Sequence, residues 1–258
     1  MTNKVKQFAA QLAEAEATKV GTAPLTSIDS ELTEKEAYSI QLENINKKLE
    51  QGQKIVGKKI GLTSKAMQNL LGVGEPDYGH LLDSMVVENG GRISIEDVLQ
   101  PKVEAEIAFI LKKELRGPNV TTLDVLQATE YVVPALEIVD SRVKDWKIKL
   151  ADTVADNASS GYYVLGGKPT RIEDINLELI GMVLTKNGDL VNTGVGAAAL
   201  GNPASCVAWL ANKLSEFDIT LHAGEVILSG ALSAAEVATK GDTFTARFAH
   251  IGQVSVRF

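Results

Sequence analysis

The chain of 258 residues is 45% hydrophobic and 23% charged, an ordinary globular composition that excludes a disordered chain or a repeat array. A net charge of −7 with dispersed basic residues argues against a nucleic-acid partner. The single cysteine, Cys206, excludes an internal disulfide framework, and we expect it to be buried and structural. There is no apolar signal core and no stretch near the ~20 apolar residues of a membrane span, so the sequence predicts a cytoplasmic protein without a membrane partner.

The first fifty or so residues predict a helical segment. Apolar residues at helical spacing predict a surface helix over residues 5–19. Thr33-Glu-Lys-Glu36 resembles a capping box at the start of a second helix that runs towards Leu49. We therefore divide the chain into a helical N-terminal segment, residues 1–53, and a strand-rich domain that carries the chemistry, residues 54–258, although the two could form one continuous domain.

A strand-like run over residues 54–64 contains two adjacent lysines. Lys58 and Lys59 must point to opposite faces of a strand, so at most one faces the core side, and either lysine taken alone is expected in solvent. A lysine beside a cation-bound substrate could instead stabilise an oxyanion or move a proton, especially if burial lowers its pKa. A short helix is predicted over residues 65–71. Residues 74–79 are predicted to form a turn that places Asp77 on a loop.

Three carboxylates lie inside runs that otherwise predict buried strands. Glu104 and Glu106 share one face of the strand predicted over residues 101–111, and Glu137 is flanked by apolar residues within 131–140. Like charges inside a strand are unfavourable unless a positive group lies between them, and an all-oxygen site suits Mg²⁺ or Mn²⁺ and not zinc. The spacing of Glu104 and Glu106 alone leaves a solvated sheet face equally open.

The chain resembles a known family in five motifs that occur in order, each weak alone but specific in combination. They are GKKIGLTSKAMQ (57–68), EPDYG (75–79), PKVEAEIA (101–108), PALEIVDSR (134–142) and DTVADNAS (152–159). Over nearly its whole length the chain is similar to the 2-hydroxypenta-2,4-dienoate (2-keto-4-pentenoate) hydratases of the fumarylacetoacetate hydrolase superfamily. These enzymes act in the meta-cleavage pathways of aromatic catabolism.

The resemblance implies a mixed α/β (α+β) fold, with a curved mixed β-roll core, peripheral helices and a helical N-terminal segment. It assigns Glu104, Glu106 and Glu137 as ligands of Mg²⁺, with Mn²⁺ as a substitute. It assigns Lys59, Asp77 and Ser159 as catalytic residues and leaves Lys58 expendable. Asp156 and Asn157 are expected to shape the loop that holds Ser159. The implied partners are a 2-hydroxydienoate or 2-oxo acid substrate, further copies of the chain in a homo-oligomer, and a 4-oxalocrotonate decarboxylase in a complex.

The implied reaction is Mg²⁺-dependent hydration of 2-hydroxypenta-2,4-dienoate to 4-hydroxy-2-oxopentanoate. In this hypothesis Lys59 stabilises the developing oxyanion, Asp77 handles the water and protons, and Ser159 hydrogen-bonds substrate or water. Which of Lys59 and Asp77 donates or accepts each proton stays open.

Three alternatives remain. The first, 4-oxalocrotonate decarboxylase, is disfavoured because such enzymes tend to lack an acid at the position of Asp77. The second, 2-oxohept-4-ene-1,7-dioate hydratase, keeps that acid, but similar proteins usually carry more than the 9 residues found here between Arg142 and Asp152. The third is a non-catalytic oxo-acid-binding partner subunit of the decarboxylase, which the intact Lys59 and Asp77 argue against. His80, His222 and His250 are expected at the surface or in turns.

Overall fold

The computed structural model describes residues 3–258. Within this range the α-helices are α1 (Asn3–Thr18), α2 (Leu25–Ile28), α3 (Glu34–Glu50), α4 (Lys65–Leu71), α5 (Thr122–Ala128), α6 (Leu150–Ala155) and α7 (Pro203–Ser215). The strands are β1 (Ile55–Gly61), β2 (Asp77–Leu82), β3 (Val86–Val87), β4 (Lys102–Leu111), β5 (Thr129–Val139), β6 (Ser160–Leu165), β7 (Gly181–Lys186), β8 (Asp189–Val195), β9 (Val226–Leu228), β10 (Glu236–Val237), β11 (Thr243–Phe248) and β12 (Gly252–Arg257).

The larger sheet has eight strands and curls as a half-barrel. Seven of them lie in the order β2-β1-β9-β4-β5-β6-β3, and β10 pairs with β4 off this path. The sheet is mixed, because β1 pairs with β9 and β3 with β6 in parallel while the other neighbours are antiparallel. The predicted mixed α/β fold with a curved β core is therefore confirmed.

The smaller sheet has four antiparallel strands in the order β12-β11-β7-β8. Alternate residues of β11, Phe244, Ala246 and Phe248, are buried, as the period of a half-buried strand requires. Strands β11 and β12 pack against β5 of the larger sheet. This packing buries apolar side chains of β5 and of the smaller sheet in one cluster.

The predicted N-terminal helices are confirmed. Val5, Phe8 and Leu12 form the buried stripe of α1, and α3 begins with the predicted capping box between Thr33 and Glu36. Helix α3 packs between α1 and α6, and its residues Ala37, Tyr38 and Ile40 belong to the same apolar cluster as the strand residue Ile60. The division at residue 53 stays a prediction. No helix in residues 3–258 is long and apolar enough to cross a membrane.

Candidate metal centre and catalytic site

The three carboxylates come together on one face of the curled sheet. Strands β4 and β5 are antiparallel neighbours, with Glu104 directly opposite Glu137, and Glu106 follows two residues along β4 on the same face. One oxygen from each carboxylate lies within 4.8 Å of the others. Glu106 and Glu137 are 0% and 1% exposed, so a solvated sheet face does not describe them, while Glu104 is half-buried.

The pKa values and hydrogen-bond partners of the three carboxylates indicate whether a cation would fit between them. Burial, then repulsion from Glu137, raises the pKa of Glu104 to about 7, and the same causes raise the pKa of Glu106 well above its ordinary value. Among residues 3–258, Glu106 Oε1 and Glu137 Oε2 have no hydrogen-bond partner. Buried carboxylate oxygens without partners are costly, and an all-oxygen donor set suits a hard divalent cation. The residues present therefore fit a hard divalent cation.

Lys59 of β1 lies beside the carboxylates. Its Nζ is 3.1 Å from Glu137 Oε1 and donates a hydrogen bond to Ala158 O at 2.9 Å. Burial opposes the charged lysine, but the charges of Glu137, Asp77 and the other two carboxylates outweigh it and raise the pKa of Lys59 above its usual range. This raised pKa favours the ammonium form of Lys59.

Lys58 points to the opposite face, as the strand period requires, and forms an ion pair with Glu225 at 3.0 Å. Lys58 and Lys59 are 2% and 3% exposed, so the expectation that a lysine here lies in solvent is wrong for both. Each is buried because it has its own carboxylate partner, which removes the penalty for an isolated buried charge.

Asp77 lies at the first position of β2 and not in a turn, which corrects the prediction from the Pro and Gly content. Residue 77 pairs with Gly61 across the antiparallel β1–β2 ladder, so its backbone is fixed as a strand. The side chain is buried, and its Oδ1 has no hydrogen-bond partner within the described residues 3–258. Burial raises the pKa of Asp77, against the opposing charge of Lys59.

Ser159 lies in a short loop between α6 and β6. Asn157, Ala158 and Ser159 all have a positive φ, of 53°, 50° and 54° respectively. The hydroxyl of Ser159 is 3.3 Å from Thr153 Oγ1 and 3.4 Å from Asp156 Oδ2. Three successive non-glycine residues in the left-handed region are strained, so strong contacts must hold this loop.

Those contacts come from Asp156 and Asn157, as expected. The guanidinium of Arg142 donates through Nε to Asp156 Oδ1 and through Nη2 to Asp156 O. The side chain of Asn157 accepts from His80 N at 2.8 Å and donates to His80 O at 2.9 Å, which joins the loop to β2. Burial raises the pKa of Asp156 to about 6, against the charge of Arg142.

Sequence reasoning did not single out several residues that build this site. Arg142 ends the motif PALEIVDSR (134–142). An arginine soon after an apolar run was a signal that its side chain could be buried and hold a neighbouring loop. His80 was expected at the surface but is buried, with Nδ1 3.0 Å from Gln41 Oε1. Burial, and then the charge of Lys58, lowers the pKa of His80 to about 3, so the ring is neutral. His222 and His250 are exposed, and Cys206 is buried, as predicted.

A curled sheet that carries three clustered carboxylates beside a buried Lys59 and Asp77 defines a candidate metal-dependent enzyme. The family model for the fumarylacetoacetate (FAA) hydrolase C-terminal region matches residues 61–258, and the chain belongs to this family.

Two curated relatives and one solved structure are similar over most of the chain. It is 54% identical over 197 residues to the 2-hydroxypent-2,4-dienoate hydratase of Pseudomonas putida, covering 76% of this chain and 89% of the relative. It is 43% identical over 234 residues to the 2-oxo-hept-4-ene-1,7-dioate hydratase of Escherichia coli, covering 88% of each. The 4-oxalocrotonate decarboxylase from Pseudomonas putida G7, complexed with magnesium and adipate, matches with a TM-score of 0.95 and 39% identity, covering 100% of this chain and 98% of that one. The resemblance seen in the sequence is confirmed.

Proposed function

We propose that this chain is a hydro-lyase that adds water to 2-hydroxypenta-2,4-dienoate and gives 4-hydroxy-2-oxopentanoate, as in meta-cleavage catabolism of aromatic compounds. The observation that carries the proposal is the presence of both Lys59 and Asp77 beside the cluster of three carboxylates. The relative that is 54% identical, a hydratase for this C5 substrate, supports it.

Glu104, Glu106 and Glu137 would hold the ion, which we propose is Mg²⁺, with Mn²⁺ as a substitute. The magnesium in the similar decarboxylase structure and the oxygen-only donor set support this choice. When bound, the ion would supply Lewis-acid stabilisation to the carboxylate and C2 oxygens of a 2-hydroxydienoate or its 2-oxo tautomer.

Lys59 stabilises negative charge. Its ammonium group is buried, so its attraction for an oxyanion at C2 is stronger than it would be in water. The hydrogen bond to Ala158 O and the contact with Glu137 fix the position of the Nζ atom. Such a fixed donor needs no reorganisation when charge develops on the substrate.

Asp77 orients or deprotonates the water that adds at C4 and returns protons to the product. Its pKa is raised and so lies closer to neutral pH than that of an ordinary aspartate, which suits a group that both accepts and gives a proton. Ser159, held against Thr153 and Asp156, donates or accepts a hydrogen bond to substrate or water.

The decarboxylase alternative has the support of the TM-score of 0.95, because the two activities share this fold. Asp77 favours hydration, because decarboxylation needs no group to handle water. The nine residues between Arg142 and Asp152 favour the C5 substrate over the C7 diacid. We also propose that the protein is cytoplasmic and forms a homo-oligomer, with a 4-oxalocrotonate decarboxylase as a further partner, as the resemblance implies.

The test is an assay of the purified chain alone with Mg²⁺ and three substrates: 2-hydroxypentadienoate, 2-oxohept-4-ene-1,7-dioate and 4-oxalocrotonate. We expect loss of the dienoate absorbance with the highest kcat/KM for the C5 compound and no release of CO₂ from 4-oxalocrotonate. Preferred turnover of the C7 diacid or CO₂ release would replace the proposal by one of the two enzymatic alternatives. No turnover of any of the three would support a binding subunit.

A further inference from the structure

The amide of Gln41, on helix α3, bridges two elements of the candidate site. Gln41 is 1% exposed. Its Nε2 donates to Tyr78 O at 3.1 Å and to Val154 O at 2.8 Å, and its Oε1 lies 3.0 Å from His80 Nδ1. Because the His80 ring is neutral and Oε1 can only accept, Nδ1 carries the proton. Both polar atoms of the amide are thus satisfied, and each bond reaches an element other than α3.

These partners lie close to proposed catalytic residues along the chain or through one further contact. Tyr78 follows Asp77 in β2. Val154 follows Thr153 in α6, and Thr153 Oγ1 is 3.3 Å from the hydroxyl of Ser159. The Thr153 hydroxyl also favours the charged form of Asp77. Gln41 therefore joins the strand that carries Asp77 to the helix that leads to Ser159, in addition to the direct bonds between Asn157 and His80.

Helix α3 packs against α6, but a cavity borders this junction on one side. The cavity, of about 510 Å³, is lined in part by Gln41 and Asn44 of α3, by Ala155 at the end of α6, and by Asp156 and Asn157 of the Ser159 loop. A cavity removes van der Waals contacts from its walls, so the loop has fewer packing partners there. The directional bonds of Gln41 then carry more of the positioning.

The family match begins at residue 61, so α3 lies outside the matched region. The N-terminal segment nevertheless holds α6 at a second point, because Asp152 accepts from Thr26 N at 2.9 Å and from Thr26 Oγ1 at 2.7 Å. The N-terminal segment thus contacts the short helix α6, which leads to Ser159, at two separate points, through Gln41 and through Thr26.

We infer that Gln41 is a positioning residue, through which the N-terminal helical segment fixes Asp77 relative to Ser159 for turnover. The inference rests on the proposed hydratase function for its kinetic readout. It makes the N-terminal segment part of the catalytic architecture. The carboxylate cluster, on β4 and β5, has no contact with Gln41 among the hydrogen bonds of residues 3–258, so metal binding should not depend on this amide.

The test compares Gln41→Met with the control Asn44→Ala in the full chain. Met keeps the length of Gln but has no amide, so the Tyr78 and Val154 carbonyls lose their donor. Asn44 is on the same helix, but its Nδ2 donates to Ala9 O of α1 at 2.9 Å and so joins only two helices. Three quantities are measured: kcat and KM with the C5 dienoate, Mg²⁺ affinity by calorimetry, and hydrogen exchange of backbone amides in residues 77–80 and 156–160.

For Gln41→Met we expect kcat to fall by about 10- to 100-fold, with Mg²⁺ affinity unchanged and faster exchange in both segments. Asn44→Ala should keep kcat within about two-fold and show no local increase in exchange. If Gln41→Met does not fold, Gln41→Leu, which also lacks the amide and carries no charge, takes its place. A kcat within about two-fold of the parent, or exchange that rises equally in Asn44→Ala, would overturn the inference.

The exchange comparison needs no substrate. If the parent chain does not hydrate the dienoate, the proposed function fails while the exchange data still decide the role of Gln41. If the parent is active and the two variants show the same exchange and kcat, the inference fails while the proposed function stands.

Discussion

The carboxylate of Asp77 occupies the space that a side chain at Gly61 would fill. A Cβ built on Gly61 would lie 2.2 Å from Asp77 Oδ1 and 3.5 Å from Lys59 Nζ. Residue 61 faces residue 77 across the β1–β2 ladder, and Lys59 precedes it by two residues on the same face. The two-residue spacing between Lys59 and Gly61 therefore has a steric cause. The lysine projects towards the carboxylates, and the glycine leaves room for Asp77 beside it.

Gly61→Ala should separate Asp77 from Lys59. The added methyl group must displace the carboxylate, and we expect kcat to fall by about 10²-fold, as for other misplaced catalytic groups, with Mg²⁺ affinity unchanged. The strain should lower the free energy of unfolding by about 1–3 kcal/mol, measured by urea titration. Gly181→Ala, on β7, is the control, because a Cβ there meets nothing within 4 Å. Near-parental kcat in Gly61→Ala would show that this placement of Asp77 is not needed for turnover.

Glu106→Gln should weaken metal binding while the fold survives. Glu106 Oε2 accepts a hydrogen bond from Gly230 N at 2.8 Å. Gln keeps the shape of the side chain and an oxygen that can accept this bond, but it removes one negative charge from the cluster. We expect the affinity for Mg²⁺, measured by calorimetric titration, and the turnover rate to fall sharply together. Glu130→Gln, an exposed change on β5, controls for net charge. Parental activity with intact Mg²⁺ dependence would remove Glu106 from the ligand set.

Local sequence patterns predicted much of this arrangement. The two-residue period of strands placed Glu104 and Glu106 on one face, and the third acid in an apolar run, Glu137, pointed to the same site. The Thr33 capping box fixed the start of α3, because its reciprocal bonds lie within four residues. Such features depend only on near neighbours in the chain.

What the sequence did not reveal depends on distant partners. Lys58 is buried because Glu225, 167 residues away, neutralises it, and no local pattern shows that pairing. Asp77 follows a proline in a glycine-rich stretch and so resembled a turn, but pairing with β1 makes it part of a strand. His80 is buried because Gln41, 39 residues away, accepts its ring proton. Tertiary contacts override local propensity in all three cases.

The pH dependence of stability should report the burial of His80. Its pKa falls from 6.5 to about 3 on folding, so between these values the unfolded chain binds more protons at this residue. Stability contributed by the neutral ring is thus complete above pH 6.5 and is lost as pH falls towards 3, by up to about 1.4 kcal/mol per pH unit. Urea titrations from pH 7 to pH 5 measure this slope.

The variant His80→Asn isolates the contribution of His80 to the pH dependence of stability. The Asn amide can donate to Gln41 Oε1 in place of His80 Nδ1, but it does not titrate. The raised pKa values of Asp156 and Glu104 act in the opposite direction, since the folded chain then binds more protons as pH falls. Both groups are present in parent and variant, so their effects cancel in the difference. We expect the parent to lose stability more steeply than His80→Asn on acidification, and equal slopes would contradict a neutral, buried His80.

Asp77→Asn should separate water handling from metal and substrate binding. The three glutamates stay in place, so the variant should bind Mg²⁺ and a 2-oxo acid analogue such as oxalate with parental affinity in calorimetry. A general acid or base contributes about 10²–10⁴-fold, and a fall of that size in kcat with little change in ligand affinity is expected. Glu75→Gln removes an acid two residues away that pairs with Lys213 at 3.0 Å, and it should keep near-parental kcat.

The competing explanation is that Asp77 only shapes the start of β2. Asn accepts a hydrogen bond through its amide oxygen and has nearly the same volume, so a purely structural role predicts a kcat within a few-fold of the parent. The pH profile of kcat, measured for the parent and for Asp77→Asn, offers a second check. Removal of a titrating group that acts in turnover should also remove one limb of the pH profile of kcat, whereas a structural substitution should leave both limbs in place. A variant with near-parental kcat and an unchanged pH profile would end the water-handling role, and with it the main reason to prefer a hydratase over a decarboxylase.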